Sequence, residues 1–222
     1  MARGERLSVL GRSGAGKTVL LKHLVGLMSP DRGTVRVAGI DLRASDPHGL
    51  REARERIGYL FQGAALLNSL TVFDNVALPL READELEESE IRDQVTDRLR
   101  MVGIEDAARK YPGELSGGMK KRAGLARAIV GRREIFLFDE PTTGLDPAGV
   151  EGIRNLMLEV HERLGATTVV VSHDMDLAFS MSDRLAVLYA GRVYASGPPA
   201  ELRRSDDPVI REFTSGVCDR AA

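Results

Sequence analysis

The segment GRSGAGKTVLLKHL, residues 11–24, decides the fold, because it joins a glycine-rich turn to an amphipathic helix. Its first part fits the pattern GxxxxGK followed by Ser or Thr, and a predicted strand at Leu7–Leu10 precedes it. Glycines let backbone N–H groups turn inward around phosphates, and the helix N-terminus adds partial positive charge. The sequence therefore predicts a phosphate-binding loop made of Gly11, Arg12, Ser13, Gly14, Ala15, Gly16, Lys17 and Thr18.

Two side chains at the end of this loop carry charge or a metal-binding hydroxyl. Lys17 can neutralise the β- and γ-phosphate oxygens, and Thr18 can supply its hydroxyl to Mg²⁺. The alternative is a glycine-rich turn that only starts a helix. The predicted strand and helix on either side favour the phosphate loop over that alternative.

A second candidate element is the apolar strand Ile135–Phe138, which ends in the acidic pair Asp139 and Glu140. In a parallel sheet, the carboxyl end of such a strand lies beside the phosphate loop. Asp139 is predicted to hold Mg²⁺ through its water shell, and Glu140 to polarise the attacking water as a general base. An acidic pair after a strand is often only a cap or a turn, but the phosphate loop favours the catalytic interpretation.

Short apolar runs alternate with helical stretches along the chain, which predicts an α/β fold with a mostly parallel sheet. The runs around residues 137, 170 and 187 are apolar nearly throughout, as in strands buried on both faces. Ala190-Gly191 predicts a tight hairpin, and Pro198-Pro199 opens a polar tail. The predicted strands are Leu7–Leu10, Thr34–Val37, Ile57–Phe61, Ile135–Phe138, Thr167–Ser172, Leu185–Tyr189 and Arg192–Ala195. The predicted helices are Lys17–Leu27, Glu90–Met101, Gly118–Val130, Gly149–Leu164 and Met175–Met181.

Composition excludes several classes of protein. The chain has 222 residues and a net charge of −2, with 43% hydrophobic and 29% charged residues, which argues against disorder and against a globally basic nucleic-acid binder. The single cysteine, Cys218, cannot form an internal disulfide, which suits a reducing compartment. No apolar run approaches the ~18 residues of a spanning helix, and residues 1–5 are polar. We therefore expect a cytoplasmic protein, and any membrane role would have to come through a partner.

The helix that follows residue 117 is rich in cations and could suggest nucleic-acid binding. The overall charge does not support a nucleic-acid footprint, and basic helices more often present a solvated face. We therefore interpret these cations as a solvated face and expect no nucleic-acid partner. They are Lys120, Lys121, Arg122 and Arg127.

Further motifs bring a resemblance to a known family. LSGGM (residues 115–119) precedes the basic helix, GLDP (144–147) follows the acidic pair, and SHD (172–174) and Gln62 end two predicted strands. In this order and spacing, together with the phosphate loop, they resemble the ATP-binding cassette (ABC) ATPases of ABC transporters. The resemblance covers nearly the whole chain.

The resemblance implies a fold, a domain organisation and cofactors. We expect a P-loop NTPase of the ABC ATPase type, formed as a single domain over residues 1–222. Residues 1–76 and 132–222 are expected to form a RecA-like core, and residues of about 77–131 a helical subdomain. The cofactors implied are ATP and Mg²⁺.

The family's catalytic site is split between two copies of the chain. Ser116 can cap the helix that starts near Gly117, and the amides there form an anion site. By resemblance, Ser116, Gly117 and Gly118 face the γ-phosphate bound by a second, antiparallel subunit, which implies a homodimer. Asp146 resembles the aspartate that contacts the partner and couples the two sites.

The resemblance also assigns roles around the γ-phosphate. His173 resembles the switch histidine, which contacts the γ-phosphate and holds Glu140 and the attacking water in place. Gln62 resembles the glutamine that joins Mg²⁺ and water to the loop facing the transporter. The implied catalytic residues are thus Glu140, His173 and Gln62. The implied metal-binding residues are Thr18, Gln62 and Asp139.

A narrower resemblance rests on Met119, where Gln is usual, and on the stretch at residues 63–82. Both look like the ATPase subunits of bacterial Mla/MCE-type systems, which transport phospholipid to maintain outer-membrane lipid asymmetry. This implies a permease that contacts residues 64–80, an MCE-domain lipid-binding protein and a small regulatory subunit. The chain would then lie at the cytoplasmic face of the bacterial inner membrane. The apolar side chains of residues 64–80 could instead form the core between the two subdomains.

Three other functions remain open at this point. The same enzyme could serve another cargo, such as an amino acid, a metal or a drug. A soluble cassette protein of DNA repair or translation usually carries two cassettes or large inserts, and this chain has neither. A nucleotide-switched scaffold without turnover would be favoured only if ATP binding were lost.

One departure concerns the N-terminus. By resemblance, about thirty residues precede the first strand in this family, forming antiparallel strands and an aromatic or cationic platform for adenine. Here the chain starts five residues before Arg6, and no candidate for that platform is visible. We therefore expect that this chain is a shortened form of a longer native protein. If the short form were itself native, we would expect weaker ATP binding and lower stability, because the adenine platform is missing and sheet edges are open. Sequencing the N-terminal peptide of the native protein tests this, and a peptide that begins at Met1 would contradict it.

Overall fold

The structure is a computed structural model that describes residues 1–218, with side chains described as far as Thr214. Eight strands are described, of which six form one sheet and two form a separate antiparallel pair. The strands are β1 (Arg6–Leu10), β2 (Arg36–Val37), β3 (Ile40–Asp41), β4 (Ile57–Leu60), β5 (Ile135–Asp139), β6 (Thr167–Ser172), β7 (Arg184–Tyr189) and β8 (Arg192–Gly197). The large sheet has the order β4-β5-β6-β1-β7-β8, parallel throughout except for β8. The prediction of a mostly parallel α/β sheet is confirmed.

Helices connect these strands and cover the sheet. Those described are α1 (Lys17–Leu24), α2 (Pro47–Glu55), α3 (Val72–Ala83), α4 (Glu88–Met101), α5 (Gly117–Ile129), α6 (Pro147–Leu164), α7 (Met175–Met181), α8 (Pro199–Arg203) and α9 (Pro208–Cys218). Short 3-10 helices at Glu105–Ala107 and Pro112–Glu114 lie between α4 and α5. Among residues 1–218, none of the helices combines the length and the apolar content that crossing a membrane would need.

The central strands are buried on both faces, as their unbroken apolar runs predict. Phe136 and Phe138 of β5 belong to one hydrophobic cluster, and their rings stack with centroids 5.9 Å apart. Leu137, between them, belongs to a second cluster on the opposite face. Because successive side chains of a strand point to opposite faces, one apolar strand supplies both cores.

The parallel register brings the ends of three strands to one edge of the sheet. In β1, Leu10 pairs with Ser172 of β6, and Asp139 of β5 pairs with Val171 of β6. The phosphate loop, the acidic pair and the segment at His173 therefore leave the sheet at neighbouring points. This edge is where an open parallel sheet binds its ligands.

The region between β4 and β5 is helical, as predicted. Helices α3, α4 and α5 pack together through fully buried side chains, among them Val76, Val95 and Leu125. Helix α3 begins at Val72, where the side chain of Thr71 accepts a hydrogen bond from the N–H of Asp74 at 3.1 Å. The predicted limit between residues 76 and 77 thus falls inside a helix. The division into a core and a helical subdomain stays a prediction.

Three element predictions need correction. The strand predicted at Thr34–Val37 is reduced to β2, since among the described residues only the two-residue β3 pairs with it. The helix predicted at Lys17–Leu27 ends at Leu24, because Gly26 adopts the left-handed conformation with φ 67°. The stretch after Pro198 is not a simple polar tail, since it forms α8 and α9. The side chain of Cys218 and residues 219–222 lie outside the described part.

The hairpin prediction at Ala190-Gly191 is confirmed. Both residues have positive φ, 48° and 72°, as a two-residue turn of type I′ requires. The turn joins β7 to β8, which closes the parallel sheet with an antiparallel edge.

Candidate functional site

The phosphate loop runs from the end of β1 to the start of α1, and its glycines are needed for its shape. Gly14 and Gly16 have φ of 78° and 101°, in the region that side chains strongly disfavour. A Cβ on Gly11 would lie 2.9 Å from the carbonyl oxygen of Leu188. A loop with side chains at these positions could not curve so closely, and this geometry fits a cradle of backbone N–H groups around phosphates.

Lys17 is the first residue of α1 and is only 7% exposed. Its Nζ donates to the carbonyl oxygen of Gly11 at 2.8 Å and lies 3.3 Å from Oε1 of Glu140. A buried ammonium needs such partners to offset its lost hydration. The lysine is thereby held between the loop and the acidic residue that the sequence predicts as the general base.

Oxygen donors suited to Mg²⁺ lie next to Lys17. Thr18 Oγ1 donates to Asp139 Oδ1 at 3.1 Å, and the hydroxyl of Tyr59 donates to Asp139 Oδ2 at the same distance. Burial and the neighbouring Asp139 raise the pKa of Tyr59, so the phenol remains a donor. Mg²⁺ prefers oxygen ligands from one or two protein groups together with phosphate oxygens and water. Thr18 and Asp139 fit that donor set.

Glu140 stands in an unusual backbone conformation, with φ 46°. Its Oε2 lies 2.8 Å from Nδ1 of His173 and also accepts the backbone N–H of His173 at 3.3 Å and the hydroxyl of Ser172 at 3.4 Å. A non-glycine residue with positive φ is uncommon, and such residues cluster at functional sites. The contacts from the end of β6 fix the direction of this carboxylate.

A cavity of about 470 Å³ opens where these groups meet. The predicted residues Gly11, Arg12 and Ala15 belong to the same loop without lining the cavity, and Asp139 lies behind Thr18. The structure thus brings eight of the sixteen predicted site residues around one space. The lining residues are Ser13, Gly14, Gly16, Lys17, Thr18, Val19, Gln62, Glu140 and His173.

The remaining predicted residues lie elsewhere. Ser116 is exposed and caps α5, since its Oγ accepts the N–H of Met119 at 3.3 Å. Asp146 is exposed and caps α6, where its Oδ1 accepts the N–H of Gly149 at 2.8 Å. Neither these two residues nor Gly117 and Gly118 line the cavity. A Cβ on Gly118 would meet no described atom within 4 Å.

One part of the sequence interpretation is wrong. Three of the four cations of α5 do not form a solvated face. Lys121 is 5% exposed and donates to the backbone carbonyl oxygens of Gln62 and Glu140. Arg122 donates to the carbonyl oxygen of Val102 at 2.7 Å, and Arg127 to those of Ala64 and Ala65 at 2.6 and 2.8 Å. Burial lowers the pKa of Lys121 and of Arg127. These three cations donate hydrogen bonds to backbone carbonyl groups that lie outside the strands and helices.

Sequence reasoning also missed the site neighbours Tyr59 and Ser172. Ser172 stands inside the quoted motif SHD, so its place next to His173 was visible, but no role followed from it. Tyr59 shows no signal in the sequence. Its contact with Asp139 depends on the pairing of β4 with β5, which places the two strands side by side.

The sheet, the loop and the acidic pair define a P-loop nucleotide-binding protein. Residues 1–143 match the family model described as ABC transporter, and the chain belongs to that family. The recognition of an ABC ATP-binding subunit and the prediction of a P-loop ABC ATPase fold are confirmed. Domains of this family bind ATP with Mg²⁺, and the match supports ATPase activity.

Curated relatives extend the likeness beyond the matched segment. The chain is 42% identical over 213 residues to the probable ribonucleotide transport ATP-binding protein mkl of Mycobacterium leprae, covering 96% of this chain and 61% of that protein. It is 43% identical over 211 residues to the methionine import ATP-binding protein MetN 2 of Pseudomonas entomophila, covering 95% and 63%. The chain thus spans about three fifths of the length of these relatives.

Solved structures confirm the fold. The ATP-binding cassette MJ0796, in a dimeric post-hydrolysis state bound to ADP and Pi, matches with a TM-score of 0.82 and 33% identity, covering 90% of this chain and 87% of that one. The protein cbiO1 of Clostridium perfringens, part of the transporter complex cbiONQ, matches with a TM-score of 0.83 and 32% identity, covering 99% and 87%.

Proposed function

We propose that this chain is the ATP-hydrolysing subunit of a bacterial ABC transporter. The observation that carries the proposal is the cavity in which Lys17, Glu140 and His173 meet beside the phosphate loop. An ammonium group, a carboxylate and an imidazole so placed can neutralise a γ-phosphate and orient a water molecule. The structural likeness to a cassette bound to ADP and Pi supports the same conclusion.

The reaction is an in-line attack of water on the γ-phosphorus, which breaks the bond to the bridging oxygen and releases ADP and phosphate. Glu140 accepts a hydrogen bond from the water and draws its proton away as the oxygen attacks. His173 Nδ1, 2.8 Å from Oε2 of Glu140, holds that carboxylate in place, and the imidazole would contact the γ-phosphate. Thr18, Asp139 and Gln62 would hold Mg²⁺, which neutralises phosphate charge when bound.

ATPase assays test this reaction. Glu140→Gln keeps the size of the side chain but removes its basicity, so we expect turnover to fall about 100-fold or more. Nucleotide binding should be retained, because the phosphate loop is unchanged. Glu134→Gln is the matched control, since Glu134 is exposed just before the same strand and its carboxylate lies 3.6 Å from the guanidinium of Arg56. Unimpaired turnover in Glu140→Gln would refute the base assignment.

The working unit is proposed to be a homodimer. Ser116, Gly117 and Gly118 of one copy would face the γ-phosphate held by the other copy, with Asp146 at the contact between them. The exposure of Ser116 and the open space around Gly118 support this, because a second molecule can approach there. The likeness to MJ0796, solved in a dimeric form, also supports it.

A membrane permease is the proposed second partner, with residues 64–80 as its contact surface. Part of this segment is core, since Val72 and Val76 are fully buried. Leu67 is 46% exposed and Phe61, just before the segment, is 39% exposed, so apolar surface remains for a partner. Phe61 directly precedes Gln62, which lines the nucleotide cavity, and Leu67 follows five residues later. A partner bound there would sense movement of Gln62.

Phospholipid is the cargo we propose, within an Mla/MCE-type system at the cytoplasmic face of the bacterial inner membrane. Support comes from Met119 and the stretch 63–82, which resemble the ATPases of those systems. Such a complex would include an MCE-domain lipid-binding protein and a small regulatory subunit. Methionine is the second candidate cargo, because MetN 2 is 43% identical to this chain. The name of mkl adds ribonucleotides as a third.

A tagged pull-down from native membranes, with mass spectrometry of bound proteins and lipids, separates these cargoes. An MCE-domain protein, its permease and phospholipid would support the lipid proposal. A methionine or nucleotide permease would keep the ATPase and discard the lipid. Capture without any membrane protein would contradict the role in transport.

A further inference from the structure

Lys121 is a buried cation that the proposed reaction does not use. It is the fifth residue of α5, the helix capped by Ser116, and only 5% of it is exposed. Its Nζ donates to the backbone carbonyl oxygen of Gln62 and, at 3.1 Å, to that of Glu140. A buried ammonium is costly unless it is fully hydrogen-bonded, so its two acceptors are specific partners.

The two acceptors belong to different parts of the nucleotide site. Gln62 follows β4, and Glu140 follows β5, and both side chains line the cavity beside the phosphate loop. One ammonium group therefore joins two segments that must keep a fixed separation around the attacking water. The carboxylates of Asp139 and Glu140 lie close enough to stabilise its positive charge.

The same face of α5 grips the segment after Gln62 at further points. Arg127 donates to the carbonyl oxygens of Ala64 and Ala65 at 2.6 and 2.8 Å. Gly124 lies between the two cations, and a Cβ there would be 2.9 Å from the Cβ of Ala64. Ala64 and Ala65 both have positive φ, 60° and 47°, which such contacts must hold in place.

We propose that Lys121 is a positioning residue for ATP hydrolysis: it holds Gln62 and Glu140 at a fixed separation and ties both to the helix that Ser116 caps. The inference rests on the proposed function. Lys121 touches no substrate and acts through the backbone of its two partners. Nucleotide binding depends on the phosphate loop, which Lys121 does not contact in the described structure, so Lys121 acts on the hydrolytic step.

Steady-state ATPase kinetics test the role. In Lys121→Met, which keeps the length of the side chain but removes its donors, we expect kcat to fall about 10- to 100-fold. We expect KM for ATP and the affinity for a fluorescent ATP analogue to change less than about threefold. Lys121→Arg keeps the charge and several donors, and we expect it to restore kcat to within about fivefold of the wild type.

Controls separate positioning from folding. Lys110→Met makes the same change at an exposed lysine and should leave kcat and Tm unchanged. If Lys121→Met does not fold, Lys121→Gln replaces it, because a shorter amide cannot reach both carbonyl groups. A kcat at the wild-type value in whichever variant folds would overturn the inference. A variant that loses ATP affinity and Tm together with kcat would also overturn it, because that pattern indicates a general loss of structure. So would a Lys121→Arg variant whose kcat is no higher than that of Lys121→Met.

The outcomes also distinguish this inference from the function on which it rests. Absence of turnover in the wild-type protein would refute the proposed ATPase and the inference with it. Wild-type turnover together with a normal Lys121→Met variant would refute only the inference.

Discussion

The phosphate loop and the start of α5 are both predicted to contact ATP, yet they are built in opposite ways. Around the loop, Lys17 and Glu140 are each 7% exposed, and hydrogen bonds join them to neighbouring strands. At the start of α5, Ser116 and Gly117 are exposed, and Gly118 has open space around it. The charged side chains of the loop half have their partners within the chain, whereas the α5 half presents helix N-terminal amides outward.

This difference shows which polar groups a folded chain pairs within itself and which it leaves for a ligand. Buried charges need partners from the same chain, so the loop half shows a closed set of contacts. The first amides of a helix have no partner within the helix and attract anions. At α5 the amide of Met119 is satisfied by Ser116. In the proposed homodimer, the amides before it would contact the phosphate held by the other copy.

The largest expected effect comes from placing a negative charge in the exposed half. Gly118→Asp puts a carboxylate where no described atom lies within 4 Å of the new Cβ, so the fold should be preserved. An acidic residue in the first turn even favours the helix, by about 0.3–1 kcal/mol. Facing the γ-phosphate of a partner, it should reduce ATPase activity about 100-fold or more. Normal activity at an unchanged Tm would show that the two halves do not meet.

Mixing two inactive variants sharpens the comparison further. Lys17→Met disables the loop half and Gly118→Asp the α5 half, so each protein alone should be inactive. If each site combines halves from two copies, a mixed dimer contains one intact site. In an equal mixture, random pairing makes about half of the dimers mixed, and each mixed dimer has one intact site of two. The mixture should therefore show about a quarter of the wild-type activity per molecule. An inactive mixture, with mixed dimers demonstrated by differently tagged chains, would contradict a site shared between copies.

A smaller effect is expected where α5 meets the loop half. Gly124→Ala would place a Cβ 2.9 Å from atoms of Ala64 and Leu60, and overpacking of this kind costs about 1–3 kcal/mol. We expect Tm to fall by several degrees and ATPase activity about five- to tenfold, since the segment after Gln62 must shift. Gly152→Ala, in α6, is the control, because its new Cβ meets only the flexible end of Arg122, at 3.4 Å. Its Tm should not fall, and equal losses in both variants would contradict the proposed link.

The smallest effect is expected at the edge of the loop half. Tyr59→Phe removes the hydroxyl that donates to Asp139 at 3.1 Å, a neutral donor worth about 1 kcal/mol. We expect ATPase activity to fall two- to fivefold and the Mg²⁺ concentration for half-maximal activity to rise. Tyr194→Phe is the matched control, since Tyr194 is exposed on β8, away from the cavity, and its hydroxyl donates to Asp207 at 2.9 Å. An unchanged Mg²⁺ requirement in Tyr59→Phe would contradict the proposal that Asp139 holds the metal.

The fold could be predicted from the sequence where the pattern records burial directly. The unbroken apolar runs of β5 and β6 predict strands buried on both faces, and the structure has them there. Helix α2 was missed although its start is marked, since Asp46 accepts the N–H of Gly49 at 2.8 Å and Pro47 occupies the first helical position. Its short, polar sequence has too few apolar residues to show a helical period.

The candidate site also contains residues that the local sequence predicts and residues that it does not. The loop glycines and Lys17 are fixed by local backbone geometry, so eight consecutive residues suffice to predict them. Lys121 was misread as a solvated cation, because its partners lie 59 and 19 residues away along the chain. A contact of that kind depends on how α5 packs against β4 and β5, and no local pattern contains it.

Helix α9 packs next to the phosphate loop, and its detachment can be measured by limited proteolysis. Phe213 packs in the same cluster as Leu10, the residue before the loop, and Glu212 pairs with Arg12 inside the loop. Detachment of α9 would expose this apolar cluster and break the pair between Glu212 and Arg12. The detachment of α9 and the ordering of the phosphate loop are therefore linked equilibria. A ligand that orders the loop must then slow tryptic cleavage at the exposed Arg203 and Arg204, which precede α9. Limited proteolysis would therefore report nucleotide occupancy without any assay of turnover.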